Sequence, residues 1–147
     1  MIELKEILKL DGYLHCIRRL SQNKWDFWAE SFPIENDQTE SFERYLSLKG
    51  IEFIGSEELG LNGLELKIRA LLKPACPNES ENLLNLLAWD IVEYLQQLNA
   101  GGNAEGSSAS SQESFTCTAK SSFHGEYVYI ILCGKSSGVA VGFASRA

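Results

Sequence analysis

The feature that most constrains the fold is a run of twenty residues, ENLLNLLAWDIVEYLQQLNA, at positions 81–100. Its apolar residues recur at steps of three and four and cover a wide arc, which predicts a helix packed on a sheet with a second contact along one flank. Asn78 and Glu81 predict a capping box at the start of this helix, and Gly101–Gly102 predict its end. Trp89 lies among the leucines, so we expect it in the core.

Two earlier segments have clear patterns. Residues 2–20 place apolar side chains on one face of a helix, although Asp11–Gly12 leaves open a shorter helix followed by a strand over residues 13–20. Residues 25–32 predict a strand that ends at Pro33.

The next segments complete the first half of the chain. Phe42, Tyr45 and Leu46 predict a short helix that ends at Gly50. The segment GLELKIRALLK, at 63–73, alternates apolar and charged residues and therefore predicts a half-buried strand, which two following prolines close.

The last 33 residues predict a three-stranded antiparallel meander. With a two-residue turn at His124–Gly125, Tyr127 and Tyr129 lie on one face of the first two strands. Gly142, in the third strand, indicates a bulge or the close approach of another backbone. The face opposite the two tyrosines then holds Phe115, Cys117, Ala119, Val128, Ile130 and Leu132.

Helices outside the strands, and no regular strand–helix–strand repeat, predict an α+β fold. We expect a single domain over residues 1–147 whose mostly antiparallel sheet includes the C-terminal three-stranded meander and has two to three helices packed on one face. Residues 100–114 contain no aromatic or branched aliphatic side chain, so we expect a flexible Gly/Ser-rich loop there.

The net charge of −7 excludes some classes of partner. It argues against DNA and RNA, which are bound largely by Lys and Arg, and against anionic membranes. The N-terminus is too charged for a signal peptide, and no apolar run approaches the roughly 20 residues that span a bilayer. We expect a cytoplasmic protein; the sequence does not determine its oligomeric state.

No pattern in the chain predicts a catalytic, metal or cofactor site. Cys16, Cys76, Cys117 and Cys133 are widely spread and lack the spacing of zinc ligands. His15 and Cys16 are adjacent in sequence, so on a helix or a strand they point in different directions and cannot form a catalytic dyad. We therefore expect free thiols; the sequence favours a binding protein over an enzyme and leaves an enzyme as the open alternative.

The segment WDFWAESFPIENDQTESFE, at 25–43, carries six carboxylates and five aromatic rings but no Lys or Arg. Carboxylates attract a cationic surface at long range, and rings hold a partner at short range. Trp25 and Trp28 should lie on opposite faces of a strand, because they are three positions apart and successive side chains alternate between faces. A solvated acidic loop flanked by core rings is the open alternative. The predicted partner-binding residues are Trp25, Asp26, Trp28, Glu30, Glu35, Asp37, Glu40 and Glu43.

Two functional hypotheses follow. The first is a binding protein that neutralises or escorts a basic protein partner; in general character, though not in any motif, the chain is similar to bacterial immunity proteins and secretion chaperones. The second is a small ligand-binding domain or enzyme with a pocket between the C-terminal sheet and the central helix, lined by Tyr127, Tyr129 and Cys133. A broad exposed patch favours the first, and a deep apolar cavity the second.

Overall fold

The computed structural model describes residues 4–58, 61–102, 113–121, 125–134 and 136–145. Within these ranges the chain forms four helices and five strands, and none of the described helices is long and apolar enough to cross a bilayer. In chain order the elements are α1 (Leu4–Leu20), β1 (Trp25–Pro33), α2 (Gln38–Leu48), β2 (Ile51–Glu58), α3 (Leu61–Ala75), α4 (Glu81–Gly102), β3 (Glu113–Ser121), β4 (Gly125–Cys133) and β5 (Ser137–Ser145).

The five strands form one antiparallel sheet in the order β1-β5-β4-β3-β2. The expected α+β single domain is therefore found. The sheet is larger than a C-terminal meander, because β1 pairs with β5 at one edge and β2 pairs with β3 at the other. Strands that are distant in sequence are thus brought together by pairing across the whole chain.

Helices cover both faces of the sheet, which corrects the expectation that they pack on one face. α1, α3 and α4 pack on one face and form the larger core with Val139, Val141 and Phe143 of β5. α2 packs on the opposite face, where Phe42 and its neighbours contact the tyrosines of β4. Because β5 lies between two helical layers, its residues 138–144 are all buried.

Aromatic rings of β1 lie directly over glycines of β5. In the register of the two strands, Trp28 is opposite Gly142 and Phe32 is opposite Gly138. A Cβ on Gly142 would lie 2.3 Å from the Trp28 ring, and one on Gly138 would lie 2.6 Å from the Phe32 ring. The close approach that Gly142 indicates is thus made by a side chain and not by a backbone.

The outer edge of β1 is protected by side chains of α1 and the turn after it. The backbone N–H of Ala29 donates to Asp11 Oδ1 at 2.9 Å, and that of Trp25 donates to Ser21 Oγ at 3.4 Å. Pro33, at the end of the strand, has no N–H to satisfy. This arrangement leaves few unpaired groups that could recruit another strand.

The segment predicted as the cleanest strand is a helix, α3. Leu64, Ile68 and Leu72 are buried at steps of four, whereas Leu66 is 56% exposed. Leu, Lys, Glu, Arg and Ala favour helix over strand, and packing of the four-residue repeat against the larger core decides between the two periods. Pro74 lies in the last turn of this helix instead of closing a strand.

The register of β3 and β4 also differs from the prediction. A two-residue turn at His124–Gly125 would pair Cys117 with Leu132, but the observed partner of Cys117 is Tyr129. The observed pairing is shifted from the predicted one by an odd number of residues. Such a shift places each residue of one strand on the opposite face of the sheet relative to its partners. Residues 122–124, which include the predicted turn histidine, lie outside the described residues.

Two predictions about α4 are wrong. Trp89 is 63% exposed and does not belong to the core. The helix starts at Glu81, and the N–H of Leu83 donates to Ser80 Oγ at 3.2 Å, so Ser80 and not Asn78 caps it. Of the loop expected over residues 100–114, residues 103–112 lie outside the described residues.

The contact between Trp28 and Gly142 predicts the effect of one substitution. Gly142→Ala should destabilise the protein by about 1–3 kcal/mol, because the added methyl group must displace the indole ring from the sheet. Gly12→Ala is the control: a Cβ there meets nothing within 4 Å, and alanine in the exposed helix should add about 0.5–1 kcal/mol of stability. Urea unfolding followed by circular dichroism measures both. Equal stability of Gly142→Ala and wild type would contradict the contact.

Candidate functional site

The rings of the acidic-aromatic segment are divided between the two faces of the sheet. Phe27, on the face of α1, α3 and α4, and Phe32, on the face of α2, are each at most 2% exposed. Trp25 packs against the larger core and stacks on Phe27, with ring centroids 6.5 Å apart. Trp28 packs on the opposite face. The two tryptophans are therefore separated as expected for a strand, and each is only partly exposed.

The carboxylates of this segment find cations elsewhere in the chain. Asp26 Oδ1 lies 3.4 Å from Arg18 Nε, in α1. Glu30 Oε2 lies 2.7 Å from Lys49 Nζ, in the turn after α2. Glu35 pairs with Arg44 at 2.9 Å. These pairs are partly or largely exposed, so they contribute little stability on their own.

The remaining predicted acids lie on α2. Asp37 is its N-cap, and its side chain accepts from the N–H of Thr39 at 2.8 Å. Glu40 and Glu43 are exposed on the helix, and among the described residues they form no ion pair. Asp37 therefore has a structural role, while the other two carry uncompensated charge on the surface.

Negative charge is concentrated on the side of the molecule that carries α2 and β2. Residues 34–58 contain seven carboxylates and two basic side chains, a net charge of −5 out of −7 for the whole chain. Residues 4–24, which include α1, contain five basic side chains and two carboxylates. The molecule is thus electrically asymmetric, and a cationic partner would be oriented toward α2 and β2.

A groove of about 350 Å³ opens on this side of the sheet. Its floor consists of Trp28, Tyr127, Tyr129 and Ala144, and Ile51 at the start of β2 lies on the opposite wall. The groove is formed because α2 covers only part of its face. The ionisable residues around it are His15, Arg18, Asp26, Glu30 and Lys49. Three of the predicted site residues, Asp26, Trp28 and Glu30, are therefore brought together here.

The rings of the floor are packed edge to face. The Trp28 ring lies 6.0 Å from Tyr127 and 5.8 Å from Tyr129, at interplanar angles of 83° and 84°. Such T-shaped pairs are favourable contacts between aromatic rings and hold them rigidly. Tyr127 and Tyr129 thus line a cavity, but one on the face opposite to the central helix α4, and Cys133 is buried and does not line it.

The side chain of Lys49 extends from the turn between α2 and β2 to Glu30 of β1, at one end of the groove. Its ammonium group donates to Glu30 Oε1 at 2.8 Å and lies 5.1 Å from the centre of the Tyr45 ring. Burial, and then the nearby Glu30 carboxylate, raise the pKa of Tyr45 above its usual value. Tyr45 is therefore neutral at physiological pH, and its ring attracts the ammonium group as a cation–π partner. We call this pair, the Glu30 carboxylate and the Tyr45 ring, the Glu30–Tyr45 site.

The described residues contain no arrangement suited to nucleophilic or metal chemistry. His15 Nε2 lies 3.4 Å from Asp11 Oδ2, on the same helix as Cys16 but paired with a carboxylate. Cys16, Cys76 and Cys133 are free thiols, and burial followed by the nearby Glu79 raises the pKa of the Cys76 thiol. No three His, Cys, Asp or Glu side chains within the described ranges could hold a metal ion.

Sequence reasoning missed Arg18, Lys49 and Tyr45 as parts of this site. Nothing in the sequence links Lys49 to Glu30, because the two residues belong to different elements and meet only when α2 folds over the sheet. Comparisons with protein-family models, curated proteins and solved structures give no significant match. The function must therefore be argued from the groove and its surroundings.

The raised pKa of Tyr45 predicts how stability depends on pH. Its pKa is higher in the folded protein than the unfolded value near 10.0, so its contribution is complete below about pH 10 and is lost as the pH rises further. Tyr45→Phe should make the fall in unfolding free energy less steep between about pH 9 and pH 11. Urea unfolding at several pH values measures this slope.

Tyr13 offers an independent comparison. Its hydroxyl donates to Asp90 at 2.6 Å, and burial and this bond raise its pKa. Tyr13→Phe should therefore flatten the same alkaline slope from the opposite side of the sheet. A slope that neither substitution changes would show that these hydroxyl groups ionise as freely in the folded protein as in the unfolded chain.

Proposed function

We propose that this protein binds a basic protein partner with the side of the molecule that carries α2 and β2, and thereby neutralises or escorts that partner. The observation that carries the proposal is the position of most of the net negative charge beside an open groove with an aromatic floor. Charge at long range raises the association rate, and rings at short range slow dissociation.

The exposed carboxylates are suited to steering. Glu40 and Glu43 on α2, and Glu52, Glu57 and Glu58 on β2, are all exposed. Carboxylates at such positions act over about a Debye length, roughly 8–10 Å at physiological salt, so they attract a partner before contact. Their effect on binding is therefore expected mainly in the association rate.

The groove is suited to holding a side chain after association. The partly exposed Trp28 ring offers apolar surface, and Asp26 and Glu30 place carboxylates next to that surface. Aromatic residues of this kind are common among the anchors of protein interfaces. A cationic side chain of the partner would find both an apolar wall for its methylene groups and a carboxylate for its charge.

A small-ligand function is the second candidate. It is favoured by the volume of the groove, about 350 Å³, which lies within the range of small-molecule sites. In that case binding would depend on the lining residues alone, and the distant carboxylates of α2 would have little effect. The two candidates are therefore distinguished by the contribution of the exposed acids.

Replacing Glu35, Glu40 and Glu43 together with Gln should slow association with the basic partner about tenfold or more at low salt, since steering by charge contributes at least that much. Dissociation should change little, because these residues lie outside the groove. The partner is first isolated by affinity capture on the wild-type protein. Surface-based kinetics at two salt concentrations then measure both rates.

The matched control replaces Glu65, Glu79 and Glu93 with Gln. It makes the same change in net charge, but on the helical layer of α3 and α4. The control should associate nearly as fast as wild type. Equal association rates for the two triple variants would contradict a specific acidic surface.

A further inference from the structure

The Glu30–Tyr45 site already holds an ammonium group, that of Lys49. We infer that this site recognises the ammonium group of a lysine side chain of the partner, and that Lys49 is an internal ligand which the partner displaces. The inference rests on the proposed function and specifies the chemistry by which the groove would hold the partner.

The negative charges of the groove lie on a paired strand, and its positive charges come from side chains of other elements. Asp26 and Glu30 lie on short side chains of β1, which pairs with β5 along its whole length. Lys49 and Arg18 reach the groove on long, flexible side chains from other elements. Long side chains change rotamer readily, whereas carboxylates on a paired strand remain in place. The groove without its internal cations is therefore a cation site.

The ion pair between Lys49 and Glu30 is weak enough for the Lys49 side chain to be displaced from the site. The side chain of Lys49 is 37% exposed and that of Glu30 is 36% exposed, and ion pairs in such positions contribute little net stability. Gly50, the next residue, has a φ of +72°, so Lys49 lies beside a tight turn and not within a helix or strand. Release of its side chain requires no change in either element.

The surroundings of the site match an alkylammonium group better than a compact inorganic cation. The partly exposed Trp28 ring lines the groove next to Glu30, and the buried rings of Tyr127 and Tyr129 hold it in edge-to-face contact. Methylene groups pack favourably on such rings while the ammonium group remains paired with a carboxylate. A lysine side chain has both parts, whereas an acidic or neutral side chain would leave Glu30 unpaired once Lys49 had moved.

The test uses the full chain with Lys49→Met and the probe n-butylammonium. If Lys49 occupies the site about nine-tenths of the time, its removal should raise the apparent affinity for the probe about tenfold. Chemical shifts of the Trp28 indole N–H, followed by NMR during titration, report binding beside the groove. Lys49→Gln is a second variant that removes the ammonium group but keeps a polar side chain, and it should give the same result.

Three controls define the result. Lys73→Met makes the same substitution in an exposed pair with Glu81, far from the groove, and should bind the probe as wild type does. The double variant Lys49→Met, Glu30→Gln should not show the increased affinity for n-butylammonium that Lys49→Met shows. Neutral n-pentanol and anionic butyrate should not bind Lys49→Met more tightly than wild type. Equal gains for these two probes would overturn the inference, because the site would then not select a cation.

Failure of this inference is distinguishable from failure of the proposed function. If Lys49→Met gains no affinity while the triple substitution of Glu35, Glu40 and Glu43 still slows association, the acidic side binds the partner but not through this site. If neither effect is observed, both proposals are wrong. If the ammonium probe gains affinity and steering is absent, the groove is a cation site in a protein without a basic macromolecular partner.

Discussion

The packing of β1 on β5 is the contact on which the rest of the structure depends. Trp28 lies over Gly142 and Phe32 over Gly138, so two bulky rings fit against a strand that has no side chain at those positions. A shift by one residue would place Trp28 against Val141 or Phe143 and Phe32 against Ser137 or Val139, and it would leave the glycines uncovered. This fit therefore fixes the register between the first strand of the chain and the last.

The two faces of the sheet are covered unequally, and the groove is a consequence. Three helices pack on one face and produce the larger core, whereas the eleven-residue α2 packs alone on the other. In the part of the face that α2 leaves open, Trp28 is partly exposed beside charged residues of β1, and its ring packs edge to face against the buried Tyr127.

The carboxylates of β1 in the groove pair with cationic side chains from α1 and from the turn after α2. Arg18 and Lys49 neutralise Asp26 and Glu30 in the free protein, so these carboxylates at the rim of an aromatic groove are not left unpaired. Farther out, α2 and β2 carry exposed acids without an equal number of bases. Excess negative charge of this kind attracts cations at long range.

The structure shows α1 as one continuous helix over Leu4–Leu20, where the sequence left open a shorter helix followed by a strand. The sequence by itself determined α2, α4 and β1 close to their observed bounds, because local spacing and end signals specify them. It did not determine α3, since the alternation over 63–73 also contains a helical repeat that only burial against the core selects. The register of β3 on β4, the exposure of Trp89 and the meeting of Lys49 with Glu30 were decided by the tertiary structure. Each of these joins elements far apart in the chain, and local periodicity carries no information about which elements will meet.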